Sequence, residues 1–435
     1  MGEQLRRAFA RVWGAFDGLA EDTLWAGILD VAAVMSAVFS FVLLQQALNP
    51  ASYGALFGLY ALVSPLGSLT FAGPGLAVIQ RRIRYEEDLN EILRSILSLT
   101  FMIGLASSVV AATLAVIFID LSTLEILLIV ASELLASSTI FVCSRLVQAA
   151  VSYPAMVRVK LVVVALKTLA VGGLYAFGIL NVRNLAVCYL LFYSLYLVWL
   201  LTRRLPAIGY TVQLGRPSNS ALRSTAVFAV PMAASNLQLD GDKFALNVFN
   251  FSADAGLYGA AYRVVSLGSL PLRVIGQAAF HRFLPDNAIN SGHHMRKAAR
   301  LTAFMFGVGV VTAGSIYLAS PLLDYLFFGE FEEAKDIVPW LLFFIPLIAL
   351  SGTPMNGLLG LGRAKERAAI YLSSAAVSLL LYAVLIPGRG WPGAVIATIG
   401  SEIYLAIASW IAIFHYQRIA DQKLNLQRAK SDRVV

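Results

Sequence analysis

Apolar runs about as long as a bilayer is thick follow one another through most of this 435-residue chain, and no other feature constrains its fold so tightly. A helix needs ~20 apolar residues to cross the hydrocarbon layer. In lipid every backbone polar group must find an internal partner, so such runs form helices. Charged residues make up 13% of the chain, against about 25% in soluble domains. The sequence therefore predicts an all-α, polytopic membrane protein. Twelve spans are expected, near 24–48, 54–80, 93–119, 124–150, 159–180, 184–202, 224–250, 256–283, 298–321, 337–361, 367–387 and 392–416. Turn-forming stretches such as "NPASYG", "RRLPAIGYTVQLGRPSNS" and "GRGWPG" separate them.

The net charge of +8 is a matter of topology rather than of nucleic-acid binding. Most of the 33 Lys and Arg fall in alternate connecting segments and at the two ends. The other side keeps Arg183, Lys335 and Arg389, together with the acidic loop "FFGEFEEAKD". Basic loops stay cytoplasmic, which places both termini of this multi-pass protein inside. The leader "MGEQLRRAFARVWGAFDGLAED" lacks the apolar core of a signal peptide. Its Leu5, Phe9, Val12, Trp13 and Phe16 recur at helical spacing among arginines, as in a helix lying on the membrane surface. Cys143 and Cys188 read as packing residues, and His281, His293, His294 and His415 match no zinc spacing. No cofactor or metal site is expected.

The chain also repeats itself. "ASYGALFGLYALVSPLGSL" at 51–69 resembles "AGLYGAAYRVVSLGSLPLR" at 255–273, six spans later. That offset gives two lobes of equal topology, six helices each, around a central cleft. The expected organisation is an amphipathic segment at 1–23, an N-terminal lobe at 24–202, a linker at 203–223, a C-terminal lobe at 224–416 and a basic tail at 417–435. Gly54 and Gly58 read as a close helix-packing motif. Tyr53, Tyr60, Tyr258 and Tyr262 can line a sugar path by stacking, although Tyr53 and Tyr258 fit interfacial anchors better.

Away from the span ends, ten charged residues fall inside the expected spans. The cations are Arg145, Lys167, Lys243, Arg263 and Arg273, and the acids are Asp30, Glu133, Asp240, Asp242 and Glu402. Each costs at least ~2.5–3.5 kcal/mol at a helix centre, so they should face one another or a wet cavity. Arginine clamps phosphate with two donors, and lysine offers a point charge. The cations are therefore candidates for an anionic solute, with Arg273 and Arg263 ahead of Lys243, Lys167 and Arg145. The acids are candidates to bind protons or cations or to balance the basic groups. Static ion pairing is the alternative for each of them.

The stretch "DGDKFALNVFNFSADAGLYGAAYRVV" resembles the start of the second half of Wzx-type polysaccharide-biosynthesis flippases, members of the multidrug/oligosaccharidyl-lipid/polysaccharide exporter superfamily. Asp242, Gly256, Tyr258, Ala260 and Arg263 carry the likeness. "LNPASYGALFGLYALVSPLGSLTFAGPGLAVIQRR" resembles that family's second span, with Tyr53, Gly54, Gly73 and Gly75 in place. The resemblance implies alternating access and a polyprenyl-diphosphate-linked oligosaccharide of the undecaprenyl type as cargo. It also implies membrane lipid around the cargo tail, H+ or Na+ as coupling ion, and a polysaccharide polymerase as partner. Lipid II flippases have two further C-terminal spans and fit less well. A multidrug or small-cation exporter of the same superfamily is the alternative, and a membrane-embedded glycosyltransferase is a third reading, disfavoured by short outer loops.

Overall fold

The computed structural model describes residues 2–210, 215–280, 291–327 and 329–431. Secondary structure there is helical throughout, with no strand among the described residues. The first half holds α1 (Gly2–Ala47), α2 (Pro50–Gly67), α3 (Gly73–Tyr85), α4 (Leu89–Phe118), α5 (Thr123–Val130), α6 (Ser138–Ala150), α7 (Tyr153–Ala176), α8 (Val182–Trp199) and the short α9 (Leu205–Ala207). The second holds α10 (Asn219–Val248), α11 (Ser252–Gly268), α12 (Leu270–Phe280), α13 (Ser291–Leu318), α14 (Leu323–Leu326), α15 (Ala334–Leu341), α16 (Phe344–Gly360), α17 (Ala364–Leu385) and α18 (Trp391–Ser431).

Side-chain chemistry marks several helix starts. Ser122 and Glu125 exchange hydrogen bonds as a capping box before α5, which satisfies donors that the first turn leaves free. Ser152 caps α7 and Asn181 caps α8. Three π-helical segments interrupt the first half, at Ser68–Ala72, Ala131–Ser137 and Leu200–Arg204. Thr70 of the first shares a 2.9 Å hydrogen bond with the hydroxyl of Ser138, the residue that follows the second. Both copies of the internal repeat break at the same three residues. Regular α2 ends at Gly67 before Ser68-Leu69, and α11 ends at Gly268 before Ser269-Leu270.

Among the described residues, nine helices are long and apolar enough to cross a membrane. A tenth span arises if the pair Gly329–Leu341 and Phe344–Gly360, bent by 48°, is counted as one. The other two expected spans coincide with α10, whose apolar run is interrupted by Asp240, Asp242 and Lys243, and with α11 plus α12, split at Ser269. The segment expected to lie on the membrane at 1–23 is continuous with the first span in α1. No turn residue separates the two. The side chains of residues 1–20, His281, and the side chains of His293 and His294 lie outside the described residues.

The chain forms two compact units. One comprises 1–48, 66–117 and 121–232, and the other 49–65, 118–120 and 233–435. Each is apolar outside and carries polar groups inside. In the first, Leu24, Val31, Met35, Phe101 and Leu105 are exposed while Ser95, Thr100 and Ser132 are buried. That inversion suits a hydrocarbon solvent. In the second, Ala298, Met355, Leu358, Leu405 and Ile413 form an apolar cluster, and a polar seam runs beside it.

Candidate functional site

The polar seam of the second unit is built from residues one helical turn apart. Positions i and i+4 share a helix face. On α10 these are Gln238 and Asp242, on α18 Thr398 and Glu402, and on α11 Tyr258 and Tyr262. Gln238 Nε2 donates to Glu402 Oε2 at 3.1 Å, and Thr398 Oγ1 donates to Asp242 Oδ2 at 3.1 Å. These are two rungs of one ladder between α10 and α18. Tyr258 adds a 2.6 Å donor to the same Asp242 oxygen. Ser351 of α16 donates to Glu402 Oε1 at 2.5 Å, and Tyr382 of α17 donates to the Gln238 carbonyl at 2.9 Å.

Lys243 stands beside this ladder. Its Nζ lies 3.0 Å from Asp242 Oδ1 and 3.3 Å from Asp240 Oδ1, donates to the Leu239 carbonyl, and sits 3.6 Å from the centre of the Tyr262 ring. Asp242 and Lys243 are 0% and 2% exposed, so neither charge reaches bulk water. Asp240 is a third exposed and also accepts from Ser64 at 2.9 Å. Tyr262 stands within electrostatic range of Asp240, Asp242, Glu402 and Arg273.

Glu402 differs from Asp242. It is 2% exposed, its hydrogen-bond partners are the neutral Gln238 and Ser351, and no cation lies within 4 Å of it among the described residues. An ionised carboxylate there lacks the compensation that Lys243 gives Asp242.

The remaining expected site residues are distributed through both units. Glu133, carried by the π-helical segment Ala131–Ser137, meets Lys167 of α7 at 3.1 Å. Arg145 donates to Gln148 at 2.8 Å. Asp30 is exposed on α1, within electrostatic range of Lys160 and Tyr153. In the second unit Arg263 lies over the Phe57 ring at 4.6 Å and beside the Tyr53 hydroxyl. Arg273 is exposed and donates to the Ser266 carbonyl at 3.2 Å. Lys243 and Lys167 are thus already neutralised. Arg145, Arg263 and Arg273 have no carboxylate within 4 Å among the described residues.

Two expectations are corrected. Tyr53 and Tyr258 are 0% exposed, so neither is an interfacial anchor. Tyr258 is a hydrogen-bond donor to Asp242, and a buried carboxylate demands such donors. Gln238, Ser351, Tyr382 and Thr398 were not anticipated as site residues. For Gln238 and Thr398 a signal was present in their i, i+4 spacing with Asp242 and Glu402 inside apolar runs; Ser351 and Tyr382 carried no such signal.

No family model matches the chain, and no curated protein matches it. Solved structures do. A multidrug resistance MATE family transporter of the MOP superfamily, in its inward-facing conformation, superposes with a TM-score of 0.69 at 15% identity, over 90% of this chain and 96% of the other. The chain has the fold of a MATE-type transporter. An outward-facing structure of such a transporter matches with a TM-score of 0.63 at 15% identity, over 93% and 96% of the two chains. A MOP superfamily transporter from Pyrococcus furiosus, described by a reversed polarity of its binding pocket that suggests a different function, matches at 0.64 and 14% identity, over 93% and 96%.

The pairing of Asp242 with Lys243 makes a sharp stability prediction. Lys243→Met strands a wholly buried carboxylate and should cost about 3–5 kcal/mol. Lys243→Met with Asp242→Asn removes both charges and should recover most of that loss. Thermal unfolding of the purified variants in detergent checks both. A double variant no more stable than the single one would refute the pairing as the source of the effect.

Proposed function

We propose that this chain is a secondary transporter that works by alternating access and exchanges protons for an amphipathic organic cargo, as a multidrug or small-cation exporter does. The observation that carries the reading is Glu402, a carboxylate buried in a membrane-spanning helix and held by neutral donors alone. Such a group takes up a proton when the site is sealed and gives it up when water enters. Exchange of that kind is what couples a gradient to transport. The likeness in fold to transporters solved facing inward and facing outward supports the alternating cycle. A MATE multidrug transporter solved in complex with R6G supports a cargo of drug-like size. On this reading the protein sits in a bacterial inner membrane with both termini cytoplasmic.

A second reading keeps the same cycle and changes the cargo to a polyprenyl-diphosphate-linked oligosaccharide for cell-surface polysaccharide. Arg145, Arg263 and Arg273, which lack carboxylate partners among the described residues, favour it. The Pyrococcus furiosus transporter with its reversed pocket polarity indicates that this fold accommodates more than one polarity of site.

The test is efflux from proteoliposomes containing the purified chain and a cationic dye. Dye release that accelerates when the outside is acidified, and stops when a protonophore collapses the gradient, is the expected result. Dye flux indifferent to the gradient, together with gradient-dependent transfer of a prenyl-diphosphate-linked sugar between leaflets, would replace the first cargo with the second.

A further inference from the structure

In the first unit, α6 and α7 form a hairpin that brings two cations to one aromatic ring. Lys160 Nζ lies 4.1 Å from the centre of the Phe141 ring, and Arg145 Cζ lies 5.4 Å from the same centre. Phe141, Arg145 and Gln148 share one face of α6, at i, i+4 and i+7. The Phe141 ring is braced by Phe71 at 4.6 Å. Gly75 of α3 leaves room for the arginine, since a Cβ there would stand 3.0 Å from Arg145 Cγ.

The electrostatics of this corner are unbalanced. Arg145 makes one hydrogen bond to a side chain, the neutral Gln148, while its Nε is buried without a partner among the described residues. Lys160 has no carboxylate within 4 Å among them, and it feels the Arg145 charge as well as that of Asp30. Two like charges near one another repel, and the ring face offsets only part of that cost. Elsewhere in the molecule the cations Arg81, Lys167 and Lys243 have each found a carboxylate. At ~1.5 Å per residue, Arg145 lies roughly 8 Å before the end of α6, and Lys160 roughly 10 Å after the start of α7. The turn between them lies on the side that the basic loops assign to the cytoplasm. Both cations thus stand within about two helical turns of that end, where a lipid phosphate drawn inward from the inner leaflet would meet them.

A buried guanidinium edge with a free donor, a lysine point charge beside it, and one acid for two cations together suit a tetrahedral oxyanion. We propose that Arg145 and Lys160 bind the phosphate of a lipid, with Gln148 and Phe141 holding the two cations in place. The site is separate from the proton site at Glu402, so failure of one leaves the other standing. The phosphate can belong to a membrane phospholipid or to a prenyl diphosphate.

Full-length protein in phosphatidylcholine nanodiscs, titrated with radiolabelled farnesyl diphosphate, tests the proposal. Wild type is expected to bind, and Arg145→Gln with Lys160→Gln to bind about tenfold more weakly or worse. Lys160→Arg keeps the charge and should retain binding, and Lys335→Gln should match wild type. Binding unaffected when phosphatidylglycerol replaces part of the phosphatidylcholine supports the site and assigns it to the prenyl diphosphate. Competition by phosphatidylglycerol supports the site and assigns it to a phospholipid headgroup. If farnesyl diphosphate and phosphatidylglycerol both bind the double variant as they bind wild type, or bind neither protein, the proposal is overturned. The double variant must unfold at the wild-type temperature. Should it not, Lys160→Gln alone, which removes a cation with no hydrogen-bonded partner among the described residues, decides the matter by the same criteria.

Discussion

Glu402→Gln is expected to leave a folded protein that no longer couples cargo to protons. The substitution changes one atom in outline. Glutamine keeps an oxygen to accept from Gln238 or Ser351, so the ladder between α10 and α18 survives. What it removes is the ability to exchange a proton at a site with no cation beside it among the described residues. Gradient-driven dye efflux should fall by at least about tenfold, the order of a proton-transfer contribution of 10²–10⁴ diminished by leak. Dye binding should be retained. Asp242→Asn makes the instructive comparison, because Asp242 already has Lys243 at 3.0 Å and two hydroxyl donors. Its loss should register first as lowered stability. Efflux by Glu402→Gln that still follows the gradient at wild-type rate would remove the carboxylate from the mechanism.

Gly256→Ala is expected to be far more damaging than Gly173→Ala, although both place a methyl group on a helix. A Cβ at Gly256 would stand 2.0 Å from the Pro50 carbonyl oxygen, and the reciprocal Cβ at Gly54 would stand 1.9 Å from the Ser252 carbonyl oxygen. Both neighbours are backbone, so α2 and α11 must separate to admit it. Asn247 of α10 donates to the Gly54 carbonyl at 3.0 Å beside this crossing, so a shift of α2 would strain that bond as well. The cost should reach or exceed the ~1–3 kcal/mol of ordinary overpacking. At Gly173 nothing lies within 4 Å of the added carbon, and alanine there should stabilise by up to ~1 kcal/mol through helix propensity. Unfolding temperatures of the two variants in detergent measure the contrast. Equal effects would mean that the α2–α11 crossing is not a close backbone contact.

Much of the fold was legible because hydrocarbon imposes a simple rule on sequence. Runs such as 24–48 and 298–321 carry almost no charge, and the helices appear where those runs lie. The likeness of 51–69 to 255–273 was visible in the sequence, but that regular helix ends at Gly67 and at Gly268 within the two copies was not. The clustering of Asp240, Asp242 and Lys243 within one turn was likewise enough to suggest pairing. Glu133 and Lys167 were not legible as partners. They come from different helices, and the π-helical segment that carries Glu133 leaves no clear mark in "ASELLASS". Lys160 ends the basic stretch "VRVK", which reads in sequence as part of a cytoplasmic connection where a lysine reaches water. Its place over Phe141 depends on how α6 and α7 pack.

The sequence by itself determined that this chain crosses a membrane many times as helices, because its long apolar runs can satisfy their backbone in lipid only that way. Beyond the Asp240, Asp242 and Lys243 cluster, which charges cancel and which remain open was decided by tertiary structure. Compensation of a buried charge depends on close side-chain approach, within one helix at 3.0 Å for Lys243 and between helices at 3.1 Å for Lys167. Those distances set Lys243 and Lys167 against carboxylates, and left Glu402, Arg145 and Lys160 without an opposite charge within 4 Å among the described residues.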